Sequence, residues 1–259
     1  MNIDQKTLDD YLAFFTTKEG ADILPYFYLE NSHLFDELVR NSKSYYIFKD
    51  EVELIKNNKS KLEYYLSDIS DLVEIGPGSY YSIEHKTLPI LSYAPKLRNY
   101  YALDFCKDYL SNIYEYLIKN TKGLNISTIE VDFMLLNEKN ISQINQTKKA
   151  FIMLGGTFGG LNNEQQNHFL QNIYNLMKED DLFILTTDTN QDKISLIEAY
   201  SEKHSYKLVF ASLEYFATIY PTFKPYLNSF KLKFEWRPTL SLVDISFVAM
   251  KKLTFCYPR

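Results

Sequence analysis

Two glycines and three acids in the middle of the chain fall where they can hold a nucleoside. VEIGPGS (73–79) ends an apolar run at Glu74 and Ile75, then offers Gly76 and Gly78. Asp104 closes the run NYYALD (99–104), and Asp132 comes near the end of STIEVDF (127–133). Glycines after an apolar run let a ligand approach the backbone, because no Cβ intervenes. A carboxylate accepts two hydrogen bonds from a vicinal diol. Asp104 is therefore placed for ribose hydroxyls. Asp132 suits an adenine amine, with the backbone N–H of Phe133 reaching a ring nitrogen. The dinucleotide fingerprint G-x-G-x-x-G fails, since counting from Gly76 puts Tyr81 at its third glycine, where a large ring obstructs helix–strand packing. The E-x-G-x-G form fits S-adenosylmethionine, a cofactor without a pyrophosphate. The plainer alternative is that these acids only cap helices.

These residues need strands in register beneath them. Short apolar runs predict strands at 71–75, 99–104, 127–133, 150–156 and 181–188. Helical spacing predicts helices at 106–119, 163–178 and 191–203, and residues 1–66 read as largely helical. Around Tyr45, Tyr46 and Phe48 that helical pattern breaks. Alternation of strand and helix implies a parallel sheet covered on both faces. FKLKFEW (230–236) and LSLVDISFVAMKKLTF (240–255) are too close to do anything but pair antiparallel. The expected fold is α/β: a class I methyltransferase, Rossmann-like sheet, mostly parallel, with a C-terminal antiparallel hairpin and N-terminal helices before it. Residues 1–66 are expected to form a helical cap on the substrate side, and 67–259 the S-adenosylmethionine-binding domain.

The bulk properties exclude several classes. With 259 residues and 46% hydrophobic composition the chain can bury a sizeable core. A net charge of −5 argues against nucleic acid as a partner. Lys224, Lys231, Lys233 and Arg237 are too sparse for a basic footprint and read as a solvated face. Cys106 and Cys256 have no CxxC partner, which argues against a cysteine zinc site or a disulfide framework. His33, His85, His168 and His204 are scattered and read as surface or core residues, not as metal ligands. The acidic N-terminus has no basic n-region and no apolar run is of membrane-spanning length, so the cytoplasm is the default location.

From about residue 25 to 255 the sequence resembles the histidine N-alpha-methyltransferases of ergothioneine biosynthesis, a family that also includes fungal ergot-alkaloid N-methyltransferases. It looks like a short, divergent member. YFYLENSHLFDELVRNSKSYYIFKDEVELI is similar to the family's aromatic–Asp–x–x–Gly–Ser–x–Leu–Phe segment and its Tyr-Tyr-Pro-Thr-Arg stretch. VEIGPGS resembles its cofactor loop, Lys86-Thr87 the Lys-Thr after it, and VDF its Gly-Asp-Phe. MLGGTFGGL (153–161) is similar to Leu-Gly-Ser-Thr-Ile-Gly-Asn-Leu, LTTDTNQD to the strand-five Asp segment, and VDIS (243–246) to Ile-Glu-Met-Ser/His.

The resemblance implies cofactor contacts at Glu74, Gly76, Gly78, Ser79, Lys86, Asp104, Asp132, Phe133 and Gly155. It implies an amino-acid pocket from Tyr46, Gly155, Gly160, Tyr200, Asp244 and Ser246. Tyr46, Tyr200 and Asp244 are expected to position an amine for methyl transfer. Asp244 and Ser246, two apart on a strand, point to one face, although a strand acid on a solvated hairpin face would look the same. Three departures stand out. Gly160 replaces the family's Asn, Asp244 its Glu, and Ile47, Phe48 and Lys49 its Pro-Thr-Arg. The expected acceptor is thus an amino acid or small amine rather than histidine in particular. A catalytically degenerate cofactor-binding or interaction protein on the same fold is the alternative. A spermidine-synthase-like enzyme would need an Asp-rich signature that this sequence lacks.

Overall fold

The computed structural model describes residues 5–16, 23–28, 33–144 and 147–254. Residues 1–4, the part of the resembling segment at Leu29–Ser32, Phe255 at the end of the last expected strand, and Cys256 lie outside the described residues. Contacts gather the chain into two compact units, one of Tyr46–Thr189 and one of the segments before and after it. Helices α1 (Gln5–Thr16) and α2 (His33–Asn41) belong to the second unit.

Within Tyr46–Thr189, α3 (Tyr46–Asn57) and α4 (Lys59–Leu66) lead into the sheet. The break expected around Tyr45–Phe48 is in fact the start of α3, with Tyr46 as its first residue and Phe48 buried. Its buried stripe is Ile47, Phe48, Glu51, Val52 and Ile55, a helical spacing with one carboxylate in it. Strand β1 (Asp71–Ile75) follows, then the short helix α5 (Tyr80–Ser82), a π-helical turn (Ile83–Thr87) and α6 (Leu88–Ser92). Next come β2 (Asn99–Asp104), α7 (Lys107–Asn120), β3 (Asn125–Glu130), β4 (Lys149–Met153), α8 (Asn163–Leu176) and β5 (Leu182–Leu185).

All four strand pairings are parallel, in the order β3-β2-β1-β4-β5. Every residue of β1 and β4 is buried, as expected of central strands covered on both faces, while β3 and β5 are partly exposed edges. The two-residue period sorts the side chains. Val73, Ile75, Tyr101, Leu103, Phe151 and Met153 form one core with Phe169 and Ile173 of α8. Leu72, Glu74, Tyr100 and Ala102 take the other face. β3 ends at Glu130, earlier than the expected 133, because Asp132 turns to cap a 3₁₀ turn at Phe133–Leu135. β5 ends at Leu185, earlier than the expected 188.

The second unit adds α9 (Lys193–Ser201), α10 (Lys203–Ile219), a 3₁₀ segment (Pro221–Ser229), β6 (Phe230–Arg237) and β7 (Leu242–Ala249). The hairpin is antiparallel and forms a sheet of its own. Aromatic rings dominate this core. Tyr11, Phe216 and Phe223 are fully buried, and Tyr11 stacks on Phe216 at 4.5 Å between centroids.

Candidate functional site

The strand order reverses at β1. The chain runs outward from β1 to β2 and β3, then returns to β4 on its other side. In such sheets the crevice outside the carboxyl ends at the reversal receives ligands. The loop after β1 carries Gly76 and Gly78, at φ +66° and +76°, and the loop after β4 carries Gly155 at +91°. Those angles favour glycine, since a Cβ would be strained there. A Cβ built on Gly76 meets nothing within 4 Å, so packing within the chain does not demand the glycine and the space beside it is open.

Backbone bonds hold the first three strand ends level. The N–H of Gly76 donates to the carbonyl of Leu103 at 2.8 Å, and that of Val131 to the carbonyl of Asp104 at 2.9 Å. Asp104 is only 9% exposed. Its Oδ1 accepts from the Cys106 N–H at 2.8 Å, and burial pushes its pKa up to about 6. Asp132 accepts from the Met134 N–H at 2.9 Å, and the Phe133 ring packs edge-on against Phe169. Both acids thus make the local backbone bonds that a capping role predicts.

Glu74 is 1% exposed and lies on the face shared with Tyr100. Tyr100 donates to one of its oxygens at 2.7 Å and Thr87 to the other at 3.1 Å. Burial raises its pKa, and raises that of Tyr100 well above the usual phenol range. Glu74 therefore ties β1 to β2 and to the π-helical turn. Ser79 and Ser82 are 3% and 1% exposed, and neither hydroxyl oxygen has a hydrogen-bond partner among the described residues. Unanswered buried hydroxyls are uncommon in folded proteins.

Lys86 sits in the π-helical turn, a helix irregularity frequent at functional sites. Its ammonium is buried and lies 2.9 Å from Oε2 of Glu51. Oε1 of Glu51 accepts from the Gly155 N–H at 2.5 Å and from the Thr186 hydroxyl. On the same unit the Tyr46 hydroxyl donates to Asp188 Oδ2 at 2.5 Å.

A model of the histidine-specific, S-adenosylmethionine-dependent methyltransferases matches residues 21–259. The chain belongs to that family. It is 26% identical over 175 residues to a histidine N-alpha-methyltransferase of Mycobacterium tuberculosis (strain CDC 1551 / Oshkosh). The match covers 66% of this chain and 51% of that protein, so the chain spans about half the length of the curated relative it matches. Among solved structures, one from Thermobifida fusca YX is 13% identical, with 95% of this chain and 94% of that one covered and a TM-score of 0.45. Streptomyces venezuelae DesVI is 12% identical, with 61% and 57% covered and a TM-score of 0.35.

S-adenosylmethionine is the cofactor of this methyltransferase family. The residues here fit it: open space beside the positive-φ Gly76, unanswered hydroxyls at Ser79 and Ser82, a buried carboxylate at Asp104 and a half-buried one at Asp132. The remaining positions that family likeness points to fall in both units. Gly160 closes a 3₁₀ turn, its N–H spent on the carbonyls of Gly156 and Thr157. Tyr200, Asp244 and Ser246 belong to the second unit. There Tyr200 meets Tyr45 edge-on. Asp244 accepts from Arg237 Nη2 at 3.0 Å and, on its other oxygen, from Ser246 at 3.1 Å. The pair does share one strand face.

Glu51 escaped the sequence reading, Thr186 and Asp188 entered it only within LTTDTNQD, and Arg237 only as part of a solvated face. Glu51 left a local trace, as a carboxylate inside the apolar stripe of α3. Among the described residues no group of three His, Cys, Asp or Glu is arranged to hold a metal, and no helix is long and apolar enough to cross a membrane.

Proposed function

We propose that this chain is an S-adenosylmethionine-dependent N-methyltransferase acting on an amino acid or small amine. The level row of strand ends carries the reading: positive-φ glycines after β1 with open space beside Gly76, then Asp104 at the end of β2 and Asp132 just after β3, tied by the Gly76–Leu103 and Val131–Asp104 bonds. When bound, S-adenosylmethionine supplies a methyl group on an electrophilic sulfonium. The backbone at Gly76 and Gly78 and the hydroxyl of Ser79 take its amino-acid part, together with Lys86 and Gly155. Asp104 takes the ribose hydroxyls. Asp132 and the Phe133 N–H take the adenine.

The protein's remaining task is to align a neutral amine with the methyl group and to exclude water. By the family pattern the acceptor amine is assigned to Tyr46, Gly155 and Gly160 of the sheet unit and to Tyr200, Asp244 and Ser246 of the other. With its oxygens engaged by Arg237 and Ser246, Asp244 is suited to holding a polar group more than to taking up a proton.

Calorimetric titration with S-adenosylmethionine tests the reading, with Asp104→Ala as the control. Saturable binding is expected, weakened about 10- to 100-fold in the variant through loss of charge-assisted hydrogen bonds. An acceptor screen of amino acids and small amines follows. Absence of binding to folded wild-type protein would refute the reading. Gly160 favours a second one, a cofactor binder without turnover, because that position offers no side chain to grip an acceptor. Binding with no turnover on any acceptor would support it.

A further inference from the structure

We propose that Glu51 is a positioning residue: its carboxylate fixes the Lys86 ammonium and the Gly155 N–H where they meet the amino-acid end of the cofactor. This rests on the methyltransferase reading above.

Glu51 is 7% exposed, in a place where the stripe of α3 calls for an apolar side chain. A carboxylate at that depth is tolerated only when its lone pairs are answered. Here donors from three separate elements answer them: Lys86 of the π-helical turn, Gly155 after β4 and Thr186 after β5. The loops on both sides of the β1–β4 reversal are thereby tied to one helix.

Lys86 is the incomplete partner. It is 5% exposed, and Glu51 is the one acceptor its ammonium reaches among the described residues, which leaves two of three N–H donors unspent. The Nζ lies 3.8 Å from where a side chain at Gly155 would begin, and 5.3 Å from the centroid of the Phe48 ring. A buried ammonium with donors to spare, beside a positive-φ glycine, suits an anionic ligand group. The amino-acid carboxylate of S-adenosylmethionine is such a group. A lysine stem is flexible and its charge is a point, so it aims only as well as its partner holds it. Glu51 supplies that hold without touching the ligand.

The test compares two ligands on the full chain: S-adenosylmethionine, and 5′-deoxy-5′-methylthioadenosine, which keeps the adenosine and sulfur but lacks the amino-acid part. Glu51→Gln is measured at a temperature where circular dichroism shows it folded. Gln retains an acceptor for the Gly155 N–H but loses the charge that holds Lys86. Affinity for S-adenosylmethionine is expected to fall about tenfold or more, with that for methylthioadenosine changed by less than about twofold. Thr186→Val keeps the Glu51–Lys86 ion pair and is the second variant, measured likewise where circular dichroism shows it folded. It is expected to show the same selectivity at about threefold. A parallel loss of both ligands, or unchanged affinity for S-adenosylmethionine in both variants, would overturn the positioning role alone. Wild-type protein that binds neither ligand would overturn the methyltransferase reading, and this one with it.

Discussion

Lowering the pH should weaken cofactor binding through Asp104. Burial holds its carboxyl at a pKa of about 6, well above the ordinary aspartate range. In the ligand-free protein the proton is therefore bound more tightly folded than unfolded. Below about pH 4 both states are protonated and the group has no net effect. Between about pH 4 and 6 the unfolded state ionises first, so stability falls by about 3 kcal/mol as pH rises through that window. Ribose hydroxyls donating to the carboxylate reverse the preference, because they favour the ionised form. If binding requires that form, the apparent dissociation constant grows by the factor 1 + 10^(pKa − pH). That factor is about 1 at pH 7.5, about 2 at pH 6 and about 11 at pH 5. Calorimetry at those three pH values measures it, and repeating the titration at pH 5 in buffers of different ionisation heat counts the protons released. In Asp104→Asn the affinity is lower throughout and this pH dependence is absent. A wild-type affinity constant to within about twofold from pH 7.5 to 5, or the same slope in Asp104→Asn, would show that Asp104 does not meet the ligand.

Gly76→Ala separates binding from folding: forcing a Cβ to φ +66° costs about 1–2 kcal/mol of stability, but the new methyl enters open space beside the loop, so cofactor titration should show binding lost in a folded protein. Asp181→Asn should do the opposite. Asp181 accepts from the Lys149 and Lys178 N–H groups at 2.9 Å and pairs with the buried Lys149 ammonium at 3.3 Å, at the amino end of β4. Removing its charge strands that ammonium at a cost of about 3 kcal/mol, which thermal denaturation should record as a Tm lowered by roughly 10 °C, with cofactor affinity unaffected. Tyr200→Phe and Asp244→Asn should lower turnover on an acceptor found by screening while leaving S-adenosylmethionine affinity unchanged, and unaltered turnover in both would remove them from the acceptor assignment.

The parallel sheet was legible because its central strands are buried on both faces. DLVEI (71–75) reads as a strand and is β1, and AFIMLGG (150–156) holds most of β4, which ends earlier, at Met153; neither strand has a solvated side. The edges were legible only in part. STIEVDF was expected to continue to 133, yet the acid that makes it interesting also ends the strand, since the Asp132 side chain competes for the backbone N–H of Met134. LTTD gave the same error at β5, where Thr186 turns to Glu51 and Asp188 to Tyr46. The polar residues that extend an apparent strand are those whose side chains find partners at its end. The aromatic break at Tyr45–Phe48 misled for a related reason: Tyr46 begins α3 with its hydroxyl turned to Asp188, so its ring does not follow the helix's apolar period.

The site divides along the same line. Gly76, Gly78, Asp104 and Asp132 stand next to the strand ends that place them, so local sequence was enough to bring them together. The partners of Glu51 lie 35, 104 and 135 residues away, and no spacing rule connects them. What sequence does hold is the anomaly. Phe48, Glu51, Val52 and Ile55 follow one helical stripe, and one of the four is a carboxylate. An unpaired buried carboxylate costs several kcal/mol, so a glutamate on such a stripe implies a buried donor elsewhere in the chain. Lys86-Thr87 was the place to look. Two polar residues there are followed by LPIL, and each answers a buried glutamate: Lys86 answers Glu51, and Thr87 answers Glu74. Acids at strand ends locate this crevice. The polar residue out of place on an apolar face tells which side chains hold its walls.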